Sequence, residues 1–239
     1  MDTRLWRKII TVLIGLFFLS SAALADPTAE HPLEANLATK EIKIFGVIYP
    51  QRFNAARGEE ARYHLIVWKG GTSANALIET PADDLMFYEA LISIGAHPGD
   101  NLTMTSWNKR HDPENPAPRE KAMGSPLEVR LTWANNPTGL SINHALQTSP
   151  GSSPIPNPQP LVPGLEWRFG GNRDRWFNKV PLAPRPGCLL CLYSCPSGKV
   201  SNSALSIHDY VTTPSRFAAN VAMLPPDGTL VIVTVRVTP

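Results

Sequence analysis

The sequence predicts an α+β fold, mostly antiparallel β, with one substantial helix over about residues 81–94 and long proline-rich loops. Three observations carry this. Leu127, Val129, Leu131 and Trp133 alternate with Glu128, Arg130 and Thr132, the period of a strand with one buried face. Leu85, Tyr88, Leu91 and Ile92 recur at helical spacing until Gly95 stops them. All 24 prolines follow residue 26, a density about twice the usual roughly 5%, which leaves little room for long helices.

From the N-terminus, Arg4, Arg7 and Lys8 precede an apolar run, Ile9 to Leu19, broken only by Thr11 and Gly15, and the small-residue end Ala23-Leu24-Ala25. This order predicts a signal peptide over residues 1–25, cleaved before Asp26, and a periplasmic destination. The run is shorter than the roughly 20 residues that cross a bilayer. No later run reaches that length, so no membrane span is expected after cleavage. Arg4-Leu5-Trp6-Arg7-Lys8 lacks adjacent arginines, which predicts export of an unfolded chain. Without residues 1–25 the chain keeps 19 basic and 19 acidic residues. A neutral chain supplies no summed basic field, so nucleic acid is not an expected partner.

Asp26 to Thr39 reads as an extended lead-in. Ile42 to Ile48 and Tyr63 to Trp68 read as strands joined by a polar connection at Asn54 to Glu60, the second apolar on both faces as a central strand is. Thr80-Pro81-Ala82-Asp83 predicts a helix start, with Thr80 as the capping hydroxyl and Pro81 at the first helical position. Leu102 to Trp107 alternates weakly as a strand, and Asp112 to Pro126 is a polar loop. Thr148 to Gly164, with six prolines, predicts a semi-rigid insertion at 148–164 within one domain spanning 26–239. Core candidates after Leu165 are too few for a second domain. Pro226-Asp227-Gly228 is a turn into a final strand, Leu230 to Val237.

All three cysteines fall within one short segment, Gly187-Cys188-Leu189-Leu190-Cys191-Leu192-Tyr193-Ser194-Cys195-Pro196. Cys188, Cys191 and Cys195 are therefore the candidate metal or redox residues. Thiolates at this spacing suit one soft metal, copper or zinc. The ending C-x-x-x-C-P is like the tail of a ferredoxin run but lacks a fourth cysteine. An iron–sulfur cluster is also disfavoured by export of an unfolded chain. Thiol exchange with an envelope redox partner and inert packing in an apolar segment stay open as alternatives. His208 is a candidate fourth ligand that no spacing selects. Arg168-Phe169-Gly170-Gly171-Asn172-Arg173 offers guanidinium groups and backbone amides, making Arg168, Asn172 and Arg173 a candidate anion site, with a solvated turn as the alternative. No H-E-x-x-H, haem, phosphate-loop or G-x-S-x-G motif is present, so no enzymatic reaction is expected.

Several stretches together resemble the YdjY-like family of exported bacterial proteins: Trp68-Lys69-Gly70-Gly71, Ser73 to Thr80, Ala90-Leu91-Ile92 through Pro98-Gly99, Leu127 to Trp133, Arg168 to Arg173 and Cys188 to Asn202. The resemblance implies a single YdjY-like domain with the cysteine segment as its site. The ferredoxin-like label attached to some members implies an electron carrier. It supplies no reaction.

Overall fold

The computed structural model describes residues 26–58, 62–112, 119–148, 164–171, 185–212 and 217–238. The predicted signal peptide, most of the proline-rich insertion, Asn172 and Arg173 lie outside them. Among the described residues the strands are β1 (Leu33–Asn36), β2 (Glu41–Ile48), β3 (His64–Trp68), β4 (Ile78–Thr80), β5 (Pro126–Trp133), β6 (Asn136–Ser141), β7 (Leu146–Thr148), β8 (Trp167–Phe169), β9 (Cys188–Cys191), β10 (Val200–Asn202), β11 (Phe217–Ala219) and β12 (Thr229–Val237). The helices are α1 (Pro50–Ala55), α2 (Asp84–Ser93), α3 (Met104–Asn108) and α4 (Ile207–Thr212).

Long strands bury alternate side chains. Ile42, Ile44 and Ile48 of β2, Leu127, Val129 and Leu131 of β5, and Val231, Val233 and Val235 of β12 turn inward, while their neighbours face outward. Such strands need partners on both edges, and the sheet supplies them by closing on itself. Eight strands form a mixed barrel in the order β2-β12-β5-β8-β10-β9-β3-β4, and β4 returns to β2. Pairings are antiparallel except β9 with β10 and β3 with β4. One edge of β2 is shared, with β1 along its first half and β4 at its end. β6 likewise shares an edge of β5 with β8. β7 and β11 form a separate small ribbon. The expected α+β, β-dominant class is what the chain adopts, and β8, β9, β10 and β12 belong to the same barrel as β2 to β5.

Several elements differ from expectation for identifiable reasons. The helix predicted for 81–94 begins at Asp84, and its cap is Asp83, whose carboxylate accepts from the amides of Leu85 at 2.7 Å and Met86 at 3.4 Å. Thr80 ends β4, and its hydroxyl donates to the Phe45 carbonyl at 2.6 Å. Gly95, at φ +86°, stops the helix as expected. Ile92, placed on the apolar face by spacing, is exposed; Phe87, Tyr88 and Leu91 are buried. Leu102 to Trp107 is no strand: Met104 to Asn108 coil into α3, with Trp107 stacked on Tyr210 and tilted against Tyr63. The lead-in contains β1, and the connection after β2 begins with α1, whose Gln51 and Arg52 amides are capped by the turn residue Asp227 at 2.7 and 2.9 Å.

A charge network ties α2 to the segments flanking β9. Lys199 Nζ lies 3.0 Å from Asp84 Oδ2, and both side chains are nearly fully buried. Arg185 reaches Asp84 at 3.2 Å and grips Asp83 with two nitrogens while its guanidinium stacks 4.6 Å over Trp68. Burial alone would push the Asp83 carboxyl up, but the hydrogen bond from Arg185 and those from the Leu85 and Met86 amides hold it below the usual value. Replacing Lys199 by Met should cost about 3 kcal/mol in urea unfolding, because Asp84 stays buried with one partner lost; adding Asp84→Leu should recover much of that. The carboxylate of Asp83 stabilises above its unfolded value of about 3.9 and loses that contribution as pH falls through its lower folded value. The stability gap between wild type and Asp83→Asn should therefore close in that acid window and persist at neutral pH.

Candidate metal centre

In a regular strand residues three apart point to opposite faces, so Cys188 and Cys191 of β9 would diverge. The pairing of β9 with β3 removes this obstacle. His64 pairs with Cys191 and Ile66 with Leu190, leaving Leu65 as an extra residue on β3; Val67 then pairs with Cys188, leaving Leu189 extra on β9. Each β-bulge shifts side-chain parity by one. Cys188 and Cys191 thereby come to one face, together with His64.

The donor atoms converge. Cys188 Sγ lies 3.3 Å and Cys191 Sγ 3.9 Å from His64 Nδ1, and all three atoms fall within 4.8 Å of one another. The residues are buried, both cysteines completely. Ser73 Oγ sits 3.1 Å from Cys188 Sγ. It is carried there by the turn at Trp68-Lys69-Gly70-Gly71, which packs on the segment before β9 through Thr72 N to Arg185 O at 2.8 Å and Ser73 N to Pro186 O at 3.0 Å. Gly71 is required at this crossing, since a Cβ would stand 2.4 Å from the Pro186 carbonyl oxygen.

Cys195 lies beside this set. Its thiol meets Cys191 and the Tyr63 phenol, and it accepts from the Ser197 amide at 3.4 Å. Tyr63 begins an aromatic cluster, stacked on Tyr193 at 5.3 Å and edge-on to Tyr210 at 4.6 Å. None of the three cysteines forms a disulfide. The Cys188 thiol is held well below the ordinary thiol range by its hydrogen bond with Cys191, with His64 and Ser73 adding to the effect against burial. Burial pushes Cys191 well up, and its hydrogen bonds with Cys188 and Cys195 add to this. At Cys195 burial acts upward, but hydrogen bonds with Cys191 and Tyr63 bring the thiol down. One thiolate is thus stabilised while its neighbour keeps a proton to donate.

The structure brings Cys188 and Cys191 together, places Cys195 against Cys191, and adds His64, which was hidden in a strand read as apolar on both faces. One signal was available: His64 is the single imidazole within a run of otherwise aromatic and aliphatic residues. His208, on α4, is half-buried and is not in the converging set. Arg168, on β8, is paired with Glu166 at 4.0 Å and donates to the Gly124 carbonyl at 3.4 Å; its suggested anion partners Asn172 and Arg173 lie outside the described residues.

Fold and site define a mixed β-barrel with a buried thiol–imidazole group. The chain belongs to the YdjY family, whose domain model matches residues 33–236. It is 31% identical over 179 residues to the uncharacterized protein YdjY of Escherichia coli strain K12, covering 73% of this chain and 67% of that one. No solved structure matches.

Gly198 lies against the sulfur of Cys191, where a Cβ would come within 2.9 Å of Sγ and 3.1 Å of the Val200 carbonyl. Gly198→Ala should destabilise the protein by roughly 1–3 kcal/mol in chemical denaturation, as overpacking does.

Proposed function

We propose that the protein is an exported, periplasmic binder of one soft metal ion, held by His64 Nδ1, Cys188 Sγ and Cys191 Sγ. The observation that carries this is the convergence of these three atoms within 4.8 Å. Two ligands on opposite sides of one ion at about 2.0–2.3 Å are at most about 4.6 Å apart, and the 3.3 and 3.9 Å from His64 Nδ1 to the two sulfurs lie within that reach. A four-iron cluster asks for sulfurs on separate irons and for four of them, which favours an ion over the ferredoxin-like reading. Sulfur and imidazole donors without a carboxylate in the set select copper or zinc over magnesium or calcium. Low-lying Cys188 favours the thiolate that a metal needs, and loading displaces the remaining thiol protons.

Burial of all three sulfurs argues for metal over exchange with a partner thiol. Thiol–disulfide exchange requires an attacking thiolate to reach the sulfur, and Cys188 and Cys191 expose none of their surface. The order of residues 1–25 supports the periplasmic assignment, and an envelope protein would be the donor or acceptor of the ion.

Elemental analysis of protein from the cell envelope should find about one copper or zinc per chain. His64→Ala, Cys188→Ser and Cys191→Ser should each abolish stoichiometric binding in chelator competition, and Ser73→Ala should weaken it about tenfold, as loss of a supporting contact does. Protein without metal, combined with unchanged affinity for added Cu(I) and Zn(II) in all variants, would leave only packed cysteines.

A further inference from the structure

Sulfur donors continue outward from the buried set. Cys195 adjoins Cys191 and, through the Ser197 amide at 3.4 Å, is linked to a residue whose hydroxyl donates to Met104 Sδ at 3.7 Å. One residue, Ser197, therefore touches both the thiol and the thioether. Met104 and Trp107 stand one turn apart on α3, and Trp107 packs on Tyr63, which in turn meets Cys195. The inward face of α3 lies over the cysteine side of the barrel. Met104 is only part-buried, whereas Cys188 and Cys191 are sealed.

We infer that Met104 and Cys195 are the loading route of the site and that the ion they pass inward is Cu(I). This rests on the metal-binding reading above. A thioether binds a soft monovalent ion and is a poor ligand for zinc. Three converging donors satisfy a low-coordinate ion, while structural zinc would demand a fourth. Transfer is ligand exchange without electron movement: the Met104–copper bond breaks as the Cys195 bond forms, Cys195 then yields to Cys191, and each thiol releases its proton to water on binding and regains one on release.

The test mixes metal-stripped protein with Cu(I) held by a chromophoric chelator and follows the transfer in time. Met104→Leu should slow loading about tenfold, the rate equivalent of about 1.4 kcal/mol, and reach the wild-type final occupancy. Met104→Cys should restore the rate, and Met86→Leu, an exposed methionine on α2, should not change it. Cys195→Ser should also slow loading with its final occupancy intact. Unchanged rates in Met104→Leu, or lost occupancy in Cys195→Ser, would overturn the route. Failure of wild type to take up Cu(I) at all would instead defeat the metal reading on which the route stands.

Discussion

A β-strand gives its side chains alternately to its two faces, and the site exists only because β9 breaks that rule at Leu189, while His64 faces Cys191 directly across the pair. Leu65 and Leu189 are each the extra residue of a bulge. Without the second, Cys188 and Cys191 would face opposite sides of the sheet; without the first, His64 and Val67 would. The bulge at Leu189 thus turns a C-x-x-C spacing that would diverge in a regular strand into a converging donor set. The surrounding barrel makes the arrangement rigid. β9 is flanked on one edge by β3 and on the other by β10, so neither bulge has a free edge along which to slip.

Burial has two consequences for these sulfurs. It raises the cost of any negative charge, which is visible at Cys191, and it strengthens every hydrogen bond made inside, which is visible at Cys188. The outcome is an uneven pair, with proton and charge separated across neighbouring thiols. A ring of aromatic side chains closes one flank, and the Lys199–Asp84–Arg185 network closes another. Soft ligands stand in the interior, and the hard ones are spent on holding α2 against the segments that flank β9.

Long elements were legible in the sequence and short ones were not. β2, β3, β5 and β12 carry enough alternation or apolar continuity to identify themselves, and Gly95 marks the end of α2 through its positive φ. Thr80 misled because hydroxyl, proline and acid occur in capping order, whereas its hydroxyl accepts from the Ala82 amide at 2.9 Å, before the helix, and Asp83 takes the first helical amides. α3 reads as a weak strand in the sequence because five residues hold too little of either period. Strands of three residues, such as β4, β8 and β10, have no period at all; they form because a neighbouring edge is waiting for them. The cysteine segment announced itself through clustering. His64 did not, and the bulges could not, because register is decided jointly with a distant strand.

His64 and Cys188 are 124 positions apart along the chain. Contacts of that range form only after a large loop has closed, and such closure is among the later events of folding. A nascent or partly collapsed polypeptide consequently has its three cysteines together on one short segment, without the imidazole that completes the set. By the time the donors meet, solvent has been expelled around them. The complete thiol–imidazole group is therefore a product of barrel closure and not of the cysteine segment alone.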